Sequence, residues 1–179
     1  MIGSFAARFP MRAAVLAAFL LCFAGPAGAA ADAVSLELGG GDDRTTLVRI
    51  GLQWQWDKRW LERGAWHLGA YWDVQFGYWK NGEEVGDFSV TPVFRYQRSG
   101  SGWQPYVEGA IGFHLVTDVR VSRWRRFSTS FQFGDHLGVG VQDGRHDWSL
   151  RLQHISNGGI ARPNPGINFL LLRYQHSLD

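Results

Sequence analysis

The chain has 179 residues, a formal net charge of +2, 15% aromatic residues, nine tryptophans and 23 glycines. The near-neutral charge excludes a surface built to attract nucleic acid or acidic ligands over its whole extent. The slightly negative mean hydropathy excludes a bundle of membrane helices, and the length suggests one domain.

The first thirty residues read as a signal peptide, with the domain running over 31–179. Arg8 and Arg12 form a positive n-region, Ala13 to Phe23 an apolar h-region, and Ala27-Gly28-Ala29 or Ala29-Ala30-Ala31 a small-residue cleavage site. The apolar run is too short to span a bilayer as a helix. Cys22, the one cysteine, lies inside it, and Leu21 before it argues against lipidation. The mature chain is then cysteine-free, and its remaining 16 basic residues balance its 16 acidic ones.

Eight strands follow, and no convincing amphipathic helix. Val34–Gly40 is short and ends in a Gly/Asp turn. Thr45–Trp56 sets Val48, Ile50, Leu52 and Trp54 against Arg49, Gly51 and Gln53. His67–Lys80 sets Leu68, Trp72, Val74 and Phe76 against Tyr71, Asp73 and Gln75, and Asn81-Gly82 is a turn signal. Asp87–Gln97 alternates in the same way around Pro92, which hints at a bulge or a local break. Trp103–Thr117 and Phe127–Gln142 continue the pattern, with His114 and His136 on the polar face. In the seventh strand Trp148, Leu150, Leu152, His154 and Ser156 share one face, opposite Ser149, Arg151, Gln153 and Ile155. Asn168–Ser177 is the eighth, with Phe169 and Leu171 as apolar exceptions on its polar face.

Residue by residue, the aromatic and aliphatic faces stand against faces carrying Arg49, Asp73, Arg95, Glu108 and Arg151. A soluble β-sandwich would bury the first and wet the second. An eight-stranded antiparallel transmembrane β-barrel does the reverse, with charges paired in a packed interior. Strand length and the Trp residues near strand ends (Trp54, Trp56, Trp79, Trp103, Trp148) favour the barrel.

His154 and Ser156 are two apart, so in a strand they share a face with Cβ atoms about 7 Å apart. An imidazole within reach of a hydroxyl is the pairing a general base needs to activate a serine nucleophile. The pair continues an apolar face, which in a membrane barrel faces lipid. With eight strands, both strand termini lie on one side, taken as the periplasm. The 157–167 loop and the basic stretch VRVSRWRR (119–126) then face the cell exterior. Arg120, Arg123, Arg125 and Arg126 are suited to lipid phosphates there, or form a solvated charged loop. The remaining histidines form no cluster with metal-site spacing, so no metal is expected. No Gly-rich phosphate loop opens a helix, so no nucleotide is expected either.

Several stretches resemble the PagL-type lipid A 3-O-deacylases: 51–58 (GLQWQWDK), 70–73 (AYWD), 92–94 (PVF), 107–112 (VEGAIG), and His154-x-Ser156-Asn157-x-Gly159 followed by Pro163-Asn164-x-Gly166. The resemblance runs through nearly the whole mature chain. It implies an outer-membrane barrel whose exterior serine esterase site hydrolyses the ester-linked acyl chain at the 3-position of lipid A. Ser156 would be the nucleophile and His154 the base. Asn164, with Asn157, Gly158 and Gly159, would form an oxyanion hole, whose donors typically contribute about 3–4 kcal/mol each. The family pattern places a glutamate at position 168 to orient the histidine; this chain has Asn168. Asn168 as third member of the triad accepts the imidazole N–H with less charge stabilisation. A Ser-His-Asn triad with similar spacing occurs in outer-membrane phospholipase A, so a phospholipase is the alternative, and a catalytically inactive structural barrel the other. The partners expected are lipopolysaccharide and membrane lipids, not nucleic acid. A homodimer is left open, and no cofactor is required.

Overall fold

A computed structural model describes residues 29–178 of the chain. The signal-peptide reading falls almost wholly outside them. Within 31–178 one antiparallel sheet runs β1 (Ala33–Gly41), β2 (Thr46–Gln55), β3 (Trp60–Arg63), β4 (Trp66–Asn81), β5 (Glu83–Arg98), β6 (Gln104–Val116), β7 (Phe131–Asp143), β8 (His146–Ser156) and β9 (Ile167–Ser177). The spatial order is β2-β1-β9-β8-β7-β6-β5-β4-β3, and β2 also pairs with β4. That last pairing closes a ring of eight long strands. The sheet therefore has no open edge except at β3, a four-residue arm on the base of β4. Its charged sequence, WLER, carries no alternation, which is why it is silent as a strand signal.

Alternation decides the two faces. On β8, Trp148, Leu150 and Leu152 are half or more exposed while Ser149, Arg151 and Gln153 are buried. Exposed Leu36, Ile50, Val107, Ile111, Leu137 and Leu172 continue the apolar exterior around the ring. A surface of this kind is stable only in an apolar solvent, and its charges are accordingly inside. Arg49 meets Glu37 at 3.0 Å and Asp87 at 2.8 Å; Arg95 meets Glu108 at 3.0 Å and Asp147 at 2.6 Å. Arg151 meets Glu37, Asp73 and Glu108 at 2.5, 3.3 and 2.7 Å. His114 and His136 project into this lumen, as the alternation indicates, and His114 Nδ1 is 2.8 Å from Asp87.

The lumen has a second zone. The connections 42–45, 117–130 and 157–166 lie at one end of the barrel, the loop end; the strand termini Ala33 and Ser177 lie at the other. At the loop end Leu47, Trp79, Val85, Val116, Val121, Phe127, Ile155, Ile167, Phe169 and Leu171 form an apolar cluster. It explains why Phe169 and Leu171 break the alternation: they point inward into a plug, not outward. It also corrects two sequence expectations. Trp79 is no girdle residue; it is fully buried with its ring 5.2 Å from Phe169. The strand expected from Phe127 starts at Phe131, because 127 leaves the sheet to fill the plug.

Pro92 pairs normally with Trp72 on β4. On the β6 side the ladder lapses between Val90 and Val93 and resumes in the same register. The missing N–H costs local hydrogen bonds without a bulge. Rings of Trp56, Trp60, Trp72 and Phe94 meet at 5.5–6.2 Å on the half of the exterior nearer the termini. Trp148 packs against Tyr174 in a tilted ring pair, centroids 4.6 Å apart, near the same end.

Candidate active site

β8 rises to the loop end, passes through Ser156, turns over 157–166 and returns as β9. His154 and Asn168 are register partners across that hairpin, followed by Ile155 and Ile167. Ile155 and Ile167 are fully buried in the apolar plug. Since neighbours in a strand point oppositely, anchoring these two inward fixes His154, Ser156 and Asn168 outward. Polar side chains thus stand on an apolar face, above Leu152 and Leu170, which are 66% and 54% exposed.

His154 Nδ1 lies 2.8 Å from Asn168 Oδ1. An amide oxygen only accepts, so Nδ1 carries a proton, and in the neutral ring Nε2 then holds a lone pair. The amide orientation is not arbitrary. Asn168 Nδ2 donates to Asp42 Oδ2 at 3.0 Å, and the Asn168 backbone N–H donates to the same oxygen at 3.1 Å. Asp42 opens the single 3₁₀ turn Asp42–Arg44 after β1, and Gly41 is the register partner of Phe169. The closure of β1 on β9 therefore delivers a carboxylate to Asn168. Sequence reasoning passed over Asp42 as part of a Gly/Asp turn, and only the ring closure distinguishes it.

Ser156 stands apart from His154: no hydrogen bond joins them among the described residues. Its Oγ instead lies 3.4 Å from the Gly158 N–H, a long contact. Gly158 has φ +64°, and a Cβ there would stand 3.1 Å from the Phe133 ring.

The loop resolves the four expected oxyanion residues into two kinds. Asn157 is buried and structural: Nδ2 donates to Ser128 Oγ and the Ala161 carbonyl, both at 2.8 Å, and Oδ1 accepts the Gly159 N–H at 2.9 Å. Its backbone N–H donates to Asn164 Oδ1 at 3.0 Å. The N–H groups of 157 and 159 and the Asn157 amide are therefore bonded within the loop. The Gly158 N–H, near Ser156, and the Asn164 amide nitrogen are the donors left over.

Gly166 closes the far side. It has φ +58°, and a Cβ there would lie 2.6 Å from His154 Cε1 and 3.0 Å from Nε2. Only glycine lets the imidazole lie against this backbone.

Of the four arginines expected at lipid phosphates, Arg120 is exposed and Arg125 is turned inward. Its Nε donates to Asp43 Oδ2 at 2.8 Å, its Nη2 is 3.6 Å from Asp42, and its Nη1 donates to the Pro165 carbonyl at 3.2 Å and also to that of Gly166. Two acidic residues and two carbonyls satisfy it, so it ties the 42–45 turn and the 117–130 loop to the site loop. The Arg125 hydrogen bond holds the Asp43 carboxyl below its usual value. Arg123 and Arg126 are exposed, Arg123 with its guanidinium 5.8 Å from the Trp124 ring centroid. Asp135 was also missed: it is the β7 partner of His154, exposed on the same outward face, with no hydrogen bond to the ring among the described residues.

Residues 46–177 match the family described as lipid A 3-O-deacylase (PagL). The chain is similar to the lipid A deacylase PagL of Pseudomonas aeruginosa, with 34% identity over 83% of this chain and 88% of that protein. It is similar also to the lipid A deacylase PagL of Bordetella bronchiseptica, with 31% identity over 88% and 89%. Its structure is similar to the crystal structure of the outer membrane enzyme PagL, with a TM-score of 0.78 and 31% identity over 82% of this chain and 99% of that one. A de novo designed transmembrane β-barrel, at 15% identity and a TM-score of 0.51, shares the fold alone.

Proposed function

The chain belongs to the PagL family of lipid A 3-O-deacylases, and on that premise we propose that Ser156 and His154 hydrolyse the 3-O acyl ester of lipid A at the lipid-facing surface of the barrel. The protein is an outer-membrane β-barrel enzyme of that family. On this reading residues 1–30 serve as a signal peptide and 31–179 form the barrel domain. The observation that carries the reading of the site is the His154–Asn168 hydrogen bond on the outward, apolar face, which leaves Nε2 free as a base directed away from the lumen.

The loop end faces the cell exterior, so His154 and Ser156 stand at the level of the outer leaflet, where lipid A is the membrane lipid. The ester carbonyl enters beside Ser156. Oγ attacks the carbonyl carbon while His154 Nε2 takes the hydroxyl proton. Asn168 Oδ1 keeps the proton on Nδ1 and steadies the imidazolium. The Gly158 N–H and the Asn164 amide are the donors available to the oxyanion. Collapse expels the sugar 3-oxygen, which takes the proton from Nε2, and leaves an acyl-serine. Water, deprotonated by His154, then releases the 3-hydroxy fatty acid and restores Ser156. Catalytic hydrogen bonds tighten on substrate binding in many hydrolases, which accounts for the unclosed Ser156–His154 contact. Arg120, Arg123 and Arg126 are exposed cations on this loop available to the lipid A phosphates.

A mass spectrum of lipid A from cells making the protein, beside cells making Ser156→Ala, tests this. Loss of one hydroxyacyl mass with the wild type only is the expected result. An unchanged spectrum, with the protein in the outer membrane, would overturn it. Fatty acid release from pure phosphatidylethanolamine would then identify a phospholipase, and its absence a structural barrel.

A further inference from the structure

We propose that Asp42 is a positioning residue of this site: it selects the productive orientation of the Asn168 amide and supplies, through that amide, the negative charge that a neutral third member lacks. The inference rests on the reading of His154 as base and Ser156 as nucleophile. It concerns a residue ahead of the stretch 46–177 that matches the family.

An asparagine in this place has a specific weakness. Its two ends are nearly the same size, and a flipped amide would present N–H to His154 Nδ1. The ring would then keep its proton on Nε2 and be useless as a base toward Ser156. Asp42 removes the ambiguity chemically. A carboxylate only accepts, so the amide end 3.0 Å from Asp42 Oδ2 must be the NH₂, and the end 2.8 Å from His154 Nδ1 must be the oxygen. The second bond to the same Oδ2, from the Asn168 backbone N–H at 3.1 Å, fixes the carboxylate against β9.

The charge follows the same line. When His154 becomes cationic, the amide between it and Asp42 is polarised along a chain of two hydrogen bonds, each strengthening the other. Arg125 shares this charge but does not take it over. Its closest carboxylate contact is with Asp43 at 2.8 Å, against 3.6 Å to Asp42. Asp135, the carboxylate on the other flank of His154, makes no hydrogen bond to the ring among the described residues. Asp42 is thus the acidic group in line with Nδ1.

The test is a cycle on the full-length protein in detergent with purified lipopolysaccharide, reading kcat and KM separately. Asp42→Ala should lower kcat by about tenfold to a hundredfold with KM nearly unchanged, by analogy with the loss when the outer partner of a metal-bound histidine is removed. Asp42→Asn should fall between, since its amide oxygen still accepts. With a carboxylate placed at 168 by Asn168→Glu, Asp42→Ala should cost nothing, or should help by removing a facing like charge. A residue that merely holds the turn would show the same loss in both backgrounds, and that result would overturn the proposal. So would full activity of Asp42→Ala beside an inactive Ser156→Ala. Should Asn168→Glu itself be inactive, added formate decides: recovery of Asp42→Ala but not of Ser156→Ala supports the inference, and no recovery of either sinks it. An active Ser156→Ala would instead remove the underlying reading, and is distinguishable from every outcome above.

Discussion

Two parts of this barrel set polar groups against apolar surroundings, and they do so in opposite ways. In the lumen, Arg151 is buried among Glu37, Asp73 and Glu108, each carboxylate shared with a further cation or tyrosine. At the site, Asn168 is exposed, His154 and Ser156 are half-buried, and each is placed by a neighbour that points inward. Every guanidinium nitrogen of Arg151 is bonded within the lumen, so it serves stability. The exterior group is held from behind and left open in front, where a lipid ester can approach.

The contrast predicts that the two parts fail differently. Ser156→Ala should remove activity by a factor of about 10⁴ or more, as loss of a serine nucleophile does elsewhere. Its thermal unfolding should match the wild type, because the hydroxyl has only the long contact with Gly158. Arg151→Leu should do the reverse. Three carboxylates would lose a buried partner, and breaking such a pair costs about 3–5 kcal/mol. The measurement is unfolding in detergent beside turnover per folded molecule: a large drop in stability with turnover preserved. Loss of turnover in a folded Arg151→Leu would show that lumen and site are coupled, and would break the comparison.

The next effect is smaller and sits on the boundary between the two parts. Gly166→Ala puts a methyl 2.6 Å from His154 Cε1 at a φ of +58°. The backbone strain is about 1–2 kcal/mol. The displaced ring should lower kcat more than KM, by about tenfold, since an error of about 1 Å is enough to cost more than that. A stable, fully active Gly166→Ala would mean that the loop yields and the ring does not depend on it.

These differences follow what the sequence shows and what it hides. Period-two alternation makes the barrel legible, because away from the plug most inward residues on a strand are polar and most outward ones apolar, from Val48 to Leu172. It makes the site legible too, since His154 and Ser156 are polar on the wrong face. It fails where the lumen changes character: Trp79, Phe127, Phe169 and Leu171 look out of place until the plug is seen. It also fails wherever a partner comes from a distant strand. Asp42 is 126 positions from Asn168, Arg125 is 82 from Asp43, and Asp135 meets His154 only through the β7–β8 register. Asn157 shows a further limit: a side chain of catalytic type, in a motif of catalytic type, is spent on bonding its own loop.

The smallest expected effect concerns the tie behind the site. Arg125 holds the Asp43 carboxyl below its ordinary value, by hydrogen bond first. In the unfolded chain that carboxyl titrates near its ordinary value of about 4. The folded protein therefore binds fewer protons around that pH, and the tie contributes stability that is fully present above the ordinary value. It is lost as the pH falls through the lower, folded value. Asp43 is partly exposed, so water screens the pair and the contribution is modest. Arg125→Gln keeps a donor for the Pro165 and Gly166 carbonyls and removes the charge. Melting followed from about pH 6 to pH 3 should decline less steeply in Arg125→Gln than in the wild type. Protection of the amides across 157–166, taken relative to their intrinsic exchange at each pH, should fall in the wild type on the acid side only. Parallel pH profiles would mean that Arg125 works through the two carbonyls alone, and that the site loop is fastened by neutral hydrogen bonds like those around Asn157, with no part played by charge.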